Sequence, residues 1–466
     1  MTTAVEQFES FARRMRAEGL PEIFINIFAD YYQQLVEGHT GLIPESEIRS
    51  VASLPDAETL PARLSDVGEA ALARTVVVKL NGGLGTSMGL EQAKSLLPVK
   101  EGLTFLDITA RQALRMEVPL VLMNSFVTDA DSLALLSERY PELKKNDVPL
   151  SFLQHKEPKI TQSDLTPAAW SQDPELEWCP PGHGDIYAAL VTSGTLDALL
   201  DAGYQYAFVS NVDNLGAVID VAILGYFVEN QFPFMMEVAD RTEMDKKGGH
   251  LARRASDGQL ILRESAQCPD EDMAAFQDTS RHKYFNTNNL WLHLPALKRL
   301  LEEMDYRLGL PMIRNAKTVD PRDSSSTPVY QLETAMGSAI AVFSEAQALR
   351  VPRTRFAPVK TTDDLLAVRS DAYVLTDDFH VVKNPDRQVD QLVVMLDPAY
   401  YKFVTDLDAR FPHGAPSLLE CLRFRVEGDF KFSRGVICKD VVRLMNESDE
   451  QVEIAAGTVL EGERRY

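Results

Sequence analysis

The sequence predicts an α/β fold, and two observations carry that reading. Short apolar runs rich in β-branched residues recur between residues 75 and 294, and amphipathic helical patterns such as DIYAALVTSGTLDALLDAG (185–203) separate most of them. Strands of this kind, apolar throughout rather than alternating, belong to a mixed, mostly parallel sheet covered on both faces. After about residue 370 the chain instead reads as short strands broken by Gly, Asp and Asn. The organisation expected is an N-terminal helical segment (1–70) packed on a main domain (71–370), followed by a β-rich C-terminal domain (371–466).

Residues 4–37 carry the helical period: Phe8, Phe11, Ala12 and Met15, then Ile23, Phe24, Ile27, Phe28 and Leu35, with Gly38 ending the pattern. PESEIRSV predicts a further short helix after its proline. The strand candidates are TVVVKL (75–80), VPLVLMNS (118–125), VPLSFLQ (148–154), YAFVSNV (206–212), FPFMMEV (232–238) and FNTNNLWLHL (285–294). Near the end, LRFRVEG, DFKFSRG, VICKDVVRLM and VEIAAG read as rungs of a small β-solenoid or as a meander.

Charge narrows the function. With 47 basic and 69 acidic side chains the net charge is −22, which argues against a nucleic-acid binder and against docking on an anionic membrane. The apolar run VAILGYFV is too short to span a bilayer, and the first residues, MTTAVEQFES, predict no secretion signal. The four cysteines are scattered, without a CxxC pair, and suit a reducing cytoplasm.

The strand at 75–80 runs into Gly82, Gly83, Gly85 and Gly89, with Lys94 following. Glycines let backbone N–H groups approach phosphate oxygens. A P-loop fails here because Leu90 stands where its lysine would fall, and a GxGxxG fingerprint fails because Met88 occupies its last position. Lys94, trailing the loop, is a candidate phosphate cation. Asp213, just past the apolar strand YAFVS, lies where ligands of open α/β sheets bind, and a carboxylate there suits Mg²⁺ shared with substrate phosphates. Asn211 and Asn214 flank it as groups that orient it or touch the nucleotide. His183, between Gly182 and Gly184, is a candidate contact to ribose or α-phosphate. Asn286 and Asn288 share a face of an extended segment and suit sugar hydroxyls. Lys79 and Lys100 read as ordinary surface lysines, and His250, Arg253 and Arg254 as a solvated basic run.

These motifs occur in the order NGGLGTSMG with Lys94, PLVLMNSF, PPGHGDIY, FVSNVDNLGA, KGGHLARR, FNTNNLWL, QLETAMGSAI and FAPVKTTDDLL. On them the chain resembles the eukaryotic-type UTP–glucose-1-phosphate uridylyltransferases from about residue 70 to 440. It departs from the pattern at Ala93, where the family often has Pro, and at His250, where many members have Thr. The resemblance implies a Rossmann-like nucleotidyltransferase domain and a left-handed β-helix-like C-terminal domain. It implies UTP and glucose 1-phosphate as substrates, UDP-glucose and pyrophosphate as products, and Mg²⁺ as cofactor. It assigns Leu80, Asn81, Gly82, Gly83, Gln154, Gly182, His183, Asn211 and Asp213 to the nucleotide, and Gly249, Glu264, Asn286 and Asn288 to the sugar. Lys94 and Lys360 become the catalytic cations, and Asp213 the metal ligand. In many members the C-terminal domain assembles oligomers, which makes it the candidate surface for a homo-oligomer.

Overall fold

The structure is a computed structural model that describes residues 4–144, 148–246, 248–389 and 392–466. Its centre is a ten-stranded sheet. One half is parallel: Tyr206–Asn211, Thr75–Asn81, Leu120–Asn124 and Ser151–Leu153 lie side by side with their C-terminal ends at one edge. The other half is built on Tyr284–His293, which runs antiparallel to Tyr206–Asn211, to Phe234–Asp240 and to His250–Arg254. Leu260–Arg263 and Ile48–Ser50 extend it, both antiparallel to His250–Arg254. Gln347–Arg350, the tenth strand, pairs in parallel with Phe234–Asp240. The sheet is therefore mixed: the expectation of a mostly parallel sheet holds for the first half, and in the second for that one edge pair. The reason is physical: a strand buried on both faces shows no inside–outside alternation whichever way it runs, so FNTNNLWLHL carries no sign of its direction.

Both faces are covered. Val76, Val78 and Met123 enter one apolar cluster, while Val77, Leu122 and Phe208 enter another on the opposite side. The predicted strands all form, each within a few residues of its expected limits. The helices differ more. The N-terminal period resolves into Ala4–Ala17 and Glu22–Val36, interrupted by Gly19 at φ 74° and Pro21. The pattern at 185–203 splits into Ile186–Thr192 and Thr195–Asp201 at Gly194, whose φ is 73°. PESEIRSV is not a helix beyond one 3₁₀ turn, Glu45–Glu47; its β-branched end joins the sheet as Ile48–Ser50. The N-terminal helices bury Phe11, Met15, Phe24, Phe28 and Tyr32 against Ile160, Met312 and Leu332 of the main body.

In the C-terminal region Val393–Leu396, Ser417–Glu427, Ile437–Met445 and Val459–Arg465 form a wholly parallel sheet, and Phe430–Phe432 pairs in parallel with Val452–Ile454. A meander of hairpins would be antiparallel, so that alternative is overturned. These strands bury Leu418, Phe424, Phe432, Val442 and Leu460 in one cluster with Met88, Leu97 and Val359 of the preceding part. All four cysteines are buried and free. Among the described residues no helix is long and apolar enough to cross a membrane.

Candidate functional site

The parallel strands deliver the loops of the candidate site to one edge. Beyond Thr75–Asn81 the glycine loop turns back on itself: Lys94 N donates to Gly83 O at 3.1 Å and Met88 N to Gly85 O at 2.8 Å. Gly85 and Gly89 both sit in the left-handed region, at φ 71° and 74°. Beyond Leu120–Asn124, Ser125 Oγ donates to Gly82 O at 3.0 Å. Gln154 follows Ser151–Leu153 and lies so close to Gly82 that a Cβ there would stand 2.8 Å from Gln154 Oε1. Beyond Tyr206–Asn211 comes Asp213, whose Oδ2 accepts from Lys94 Nζ at 2.5 Å. The two groups singled out as phosphate cation and metal ligand are thus each other's counter-ion.

Lys360 is brought to the same place by backbone. Asn214 and Pro358 form an antiparallel bridge, and Val359 N donates to Asp213 O at 3.1 Å. The following TTDD segment caps the helix Thr362–Arg369, and Asp364 Oδ2 accepts from the Lys360 and Thr361 amides at 2.8 and 2.9 Å. The lysine side chain itself is exposed, its ammonium 5.8 Å from the centre of the Phe356 ring.

The antiparallel half supplies the rest. Because Tyr284–His293 runs the other way, its beginning, with Asn286 and Asn288, lies at the same edge. Asn286 Nδ2 donates to Asn288 Oδ1 at 2.7 Å, and Asn288 N to Asn286 Oδ1 at 2.9 Å. Asn286 N reaches Gly249 O at 3.4 Å. Glu264 packs on Gly249, where a Cβ would fall 2.4 Å from its Oε2. Burial raises the Glu264 pKa above the ordinary carboxylate range, and the nearby Lys360 charge opposes that rise.

His183 closes the wall. Met336 N donates to its Nδ1 at 2.9 Å, so the neutral ring carries its proton on Nε2. Desolvation pushes its pKa down to about 4, so that neutral form prevails at pH 7. Gly182 and Gly184 let Thr334 approach: added Cβ atoms would lie 2.5 Å from Thr334 O and 2.3 Å from Thr334 Oγ1.

These contacts link the candidate residues into one chain of neighbours. It passes from Gln154 through neighbouring His155 to Asp185, which accepts from His155 N at 2.7 Å. It continues by His183 and Met336 to Gly337, whose added Cβ would meet Asn286 Nδ2 at 2.9 Å. From there it runs through Gly249, Glu264, Lys360, Asp213 and Lys94 back to the glycine loop, which lies against Lys94 at Gly85. Leu80 and Asn211 pair as half-buried ends of adjacent strands. The Asn81 side chain is buried and donates to Asn124 Oδ1 and Ser132 Oγ, both at 2.8 Å. Lys247, which opens KGGHLARR, lies outside the described residues.

Three readings of basic residues change. Lys79 is no surface lysine: it is 3% exposed, it donates to Ser210 Oγ and Ala217 O, and burial lowers its pKa to about 7. Lys100 is likewise buried, donating to Val368 O and Ser370 O. His250 is buried against His282, ring centroids 3.8 Å apart, because the strand His250–Arg254 is buried over its first three residues and reaches solvent at Arg253. Sequence reasoning also passed over Asp185, Met336 and Gly337. The one available signal was the glycine pair flanking His183, which requires a close neighbour without saying which.

Among the described residues no three His, Cys, Asp or Glu side chains gather as a metal cluster. Asp213, beside the glycine loop and Lys94, offers one carboxylate, a donor set that fits an ion completed by water and substrate phosphates and not a closed protein cage.

Comparison with known proteins identifies the family. The family model described as UTP–glucose-1-phosphate uridylyltransferase matches residues 22–439. A UTP–glucose-1-phosphate uridylyltransferase from Solanum tuberosum is 42% identical over 397 residues, covering 84% of this chain and 80% of that one. Among solved structures, a variant of UDP-glucose pyrophosphorylase from Leishmania major in complex with UDP-glucose superposes with a TM-score of 0.91 at 46% identity, covering 99% of both chains. A UDP-glucose phosphorylase from Trypanosoma brucei gives 0.89 at 44% identity, again over 99% of each chain. The chain belongs to the UTP–glucose-1-phosphate uridylyltransferase family.

Proposed function

We propose that this chain transfers the uridylyl group of UTP to glucose 1-phosphate, giving UDP-glucose and pyrophosphate. The observation that carries the reading is the pinning of the Lys360 segment to Asp213 by the Val359–Asp213 and Asn214–Pro358 contacts. This sets a cation between the glycine loop with Lys94 on one side and the Gly249, Glu264, Asn286 and Asn288 group on the other. A sugar-phosphate oxygen attacks the α-phosphorus in line, and pyrophosphate leaves. The nucleophile is already ionised at neutral pH, so the task is electrostatic: two polyanions must meet in near-attack geometry. Loop amides from Gly82 onward and Lys94 hold the triphosphate, and Lys360 neutralises charge where the two phosphates meet. Gln154 and Gly182 read the uracil edge, and neutral His183 donates from Nε2 to ribose or phosphate oxygen. Asn286, Asn288 and Glu264 bind sugar hydroxyls, with Gly249 leaving room for them.

Asp213 would hold Mg²⁺ together with substrate phosphates, the ion supplying charge neutralisation there. Its ion pair with Lys94 keeps both groups at the position the phosphates take. The three units 1–70, 71–370 and 371–466 are our reading of the chain's domains, the last as a β-solenoid; the parallel pairing of its short strands supports the coil. Exposed Met395, Leu422, Val441 and Val459, one on each of its four longer strands, support self-association there, which sedimentation would test. The free cysteines support a cytoplasmic setting.

The decisive measurement is pyrophosphate release from UTP with glucose, galactose or N-acetylglucosamine 1-phosphate, with and without Mg²⁺. Release with the glucose ester that depends on Mg²⁺ is expected. No turnover with any of the three esters would overturn the reading.

A further inference from the structure

Behind the cleft lies a buried polar network that none of the substrate contacts above uses. Glu237, on Phe234–Asp240, is fully buried. Its Oε1 accepts from Trp291 Nε1 at 2.9 Å and Arg355 Nη2 at 2.7 Å, and its Oε2 from Asn289 Nδ2 at 3.0 Å and Arg355 Nε at 2.7 Å. The Arg355 carbonyl in turn accepts from Asn289 Nδ2 at 3.2 Å and Asn214 Nδ2 at 3.1 Å. Asn214 Oδ1 accepts from Ala357 N at 2.8 Å and Gly216 N at 3.2 Å. The amide of Asn214 thus grips the backbone on both sides of Phe356, five and three residues before Lys360, while its own backbone follows Asp213 directly.

We infer that Glu237, Arg355 and Asn214 are positioning residues: their buried network fixes Lys360 relative to Asp213 and the phosphates. Stability alone does not account for the arrangement. A buried ion pair costs desolvation that its attraction barely repays, and apolar packing of equal volume does as well or better. What a carboxylate with four donors does provide is a single geometry. Arg355 couples the antiparallel half, through Glu237, to the segment that ends in Lys360. Asn214 couples that segment to the end of Tyr206–Asn211. A misplacement of about 1 Å at a reacting group costs on the order of 10²-fold, so the precision has a use at Lys360.

The inference rests on Lys360 being the cation at the phosphate junction, and a double-mutant cycle separates the two claims. Arg355→Lys keeps the buried charge but loses the two-pronged grip; Asn214→Ser shortens the clamp. Each is made alone and in the Lys360→Ala background, and kcat and KM for UTP are measured with thermal melting as a control on folding. In otherwise wild-type protein we expect kcat to fall about 10-fold, with KM for UTP changed less than about 2-fold, because Gln154 and Gly82 lie outside the network. In the Lys360→Ala background the same changes should cost less than about 2-fold, since the group they position is gone. Equal losses in both backgrounds, or full activity of both single variants, would overturn the positioning role while leaving the proposed reaction standing. A wild-type rate for Lys360→Ala would instead remove Lys360 from the mechanism, and the positioning claim with it.

Discussion

The two halves of the central sheet present two different kinds of surface. The parallel half offers backbone: a glycine loop folded on itself at the end of Thr75–Asn81, with Lys94 close behind. The antiparallel half offers the side chains of Glu264, Asn286 and Asn288, gathered from distant segments and packed on or bonded to the Gly249 backbone. Phosphates suit the first arrangement, since every amide can donate and no directional reading of the ligand is needed. A hexose differs from its epimers by the direction of one hydroxyl, and that difference is read by fixed side chains. Lys360 stands between the halves, so substitutions on either side should separate cleanly in the two Michaelis constants, and substitution at the junction should not.

The largest effect belongs to the junction. Lys360→Ala is expected to lower kcat by roughly 10²–10³, the scale of removing one charge-stabilising donor, with both KM values little changed. A fall confined to the KM for glucose 1-phosphate would move Lys360 out of the junction and into the sugar half. Next comes Gly249→Ala. The added methyl falls 2.4 Å from Glu264 Oε2, and displacing that half-buried carboxylate should raise the KM for glucose 1-phosphate by about 30-fold, within the 1–3 kcal/mol usual for overpacking. The KM for UTP should stay put. Equal movement of both constants would mean that the two halves are not independent.

The same contrast decides what could be read from the sequence. The loop was legible because its residues are contiguous: a β-branched strand, spaced glycines and a trailing lysine state their chemistry in one stretch. Asp213 was legible as a polar residue just past an apolar strand. The direction of Tyr284–His293 was not, because burial on both faces erases the alternation that would mark its setting. Nor was the burial of His250, whose neighbours Arg253 and Arg254 suggested solvent. Lys79 was misread for a related reason. Exposure is the rule for lysine, and only the fold reveals that Ser210 and Ala217 satisfy its ammonium in the interior. The network of Glu237, Arg355 and Asn214 joins residues up to 141 positions apart, and such pairings exist only after folding. The partners of the Asn81 amide, Asn124 and Ser132, were likewise not written in its motif, because they come from the neighbouring strand and the helix beyond it.

On the parallel side, Gly82→Ala should have a smaller effect than Gly249→Ala. Its methyl would meet Gln154 Oε1 at 2.8 Å, a milder overlap than the 2.4 Å at Gly249, and the flexible carboxamide can swing aside. A rise of about 10-fold in the KM for UTP is expected, with the KM for glucose 1-phosphate unchanged. If Gly82→Ala were silent, Gln154 would lose its place as reader of the uracil edge, because the substitution displaces the carboxamide before any backbone moves.

The halves also differ in how they bury charge, and that difference has a pH signature. In the antiparallel half Arg355 faces Glu237 directly. In the parallel half Lys79 hydrogen-bonds only neutral acceptors, with Asp213 and Glu237 supporting its charge from a distance and Arg355 opposing it. Its folded pKa of about 7 lies below the value near 10.4 of an unfolded lysine. Between those values the unfolded chain binds a proton that the folded chain does not, so the Lys79 contribution to stability rises with pH from 7 towards 10. Below pH 7 both states are protonated and the contribution is flat at its least favourable value. Lys79→Met removes the titration while keeping a similar volume. Urea midpoints of wild type and Lys79→Met at pH 7, 8 and 9 should therefore show wild type gaining on the variant, by at most about 1.4 kcal/mol per pH unit. A gap that stays constant over that range would mean that Lys79 remains charged in the fold, and that the parallel half compensates its buried cation as fully as the antiparallel half does.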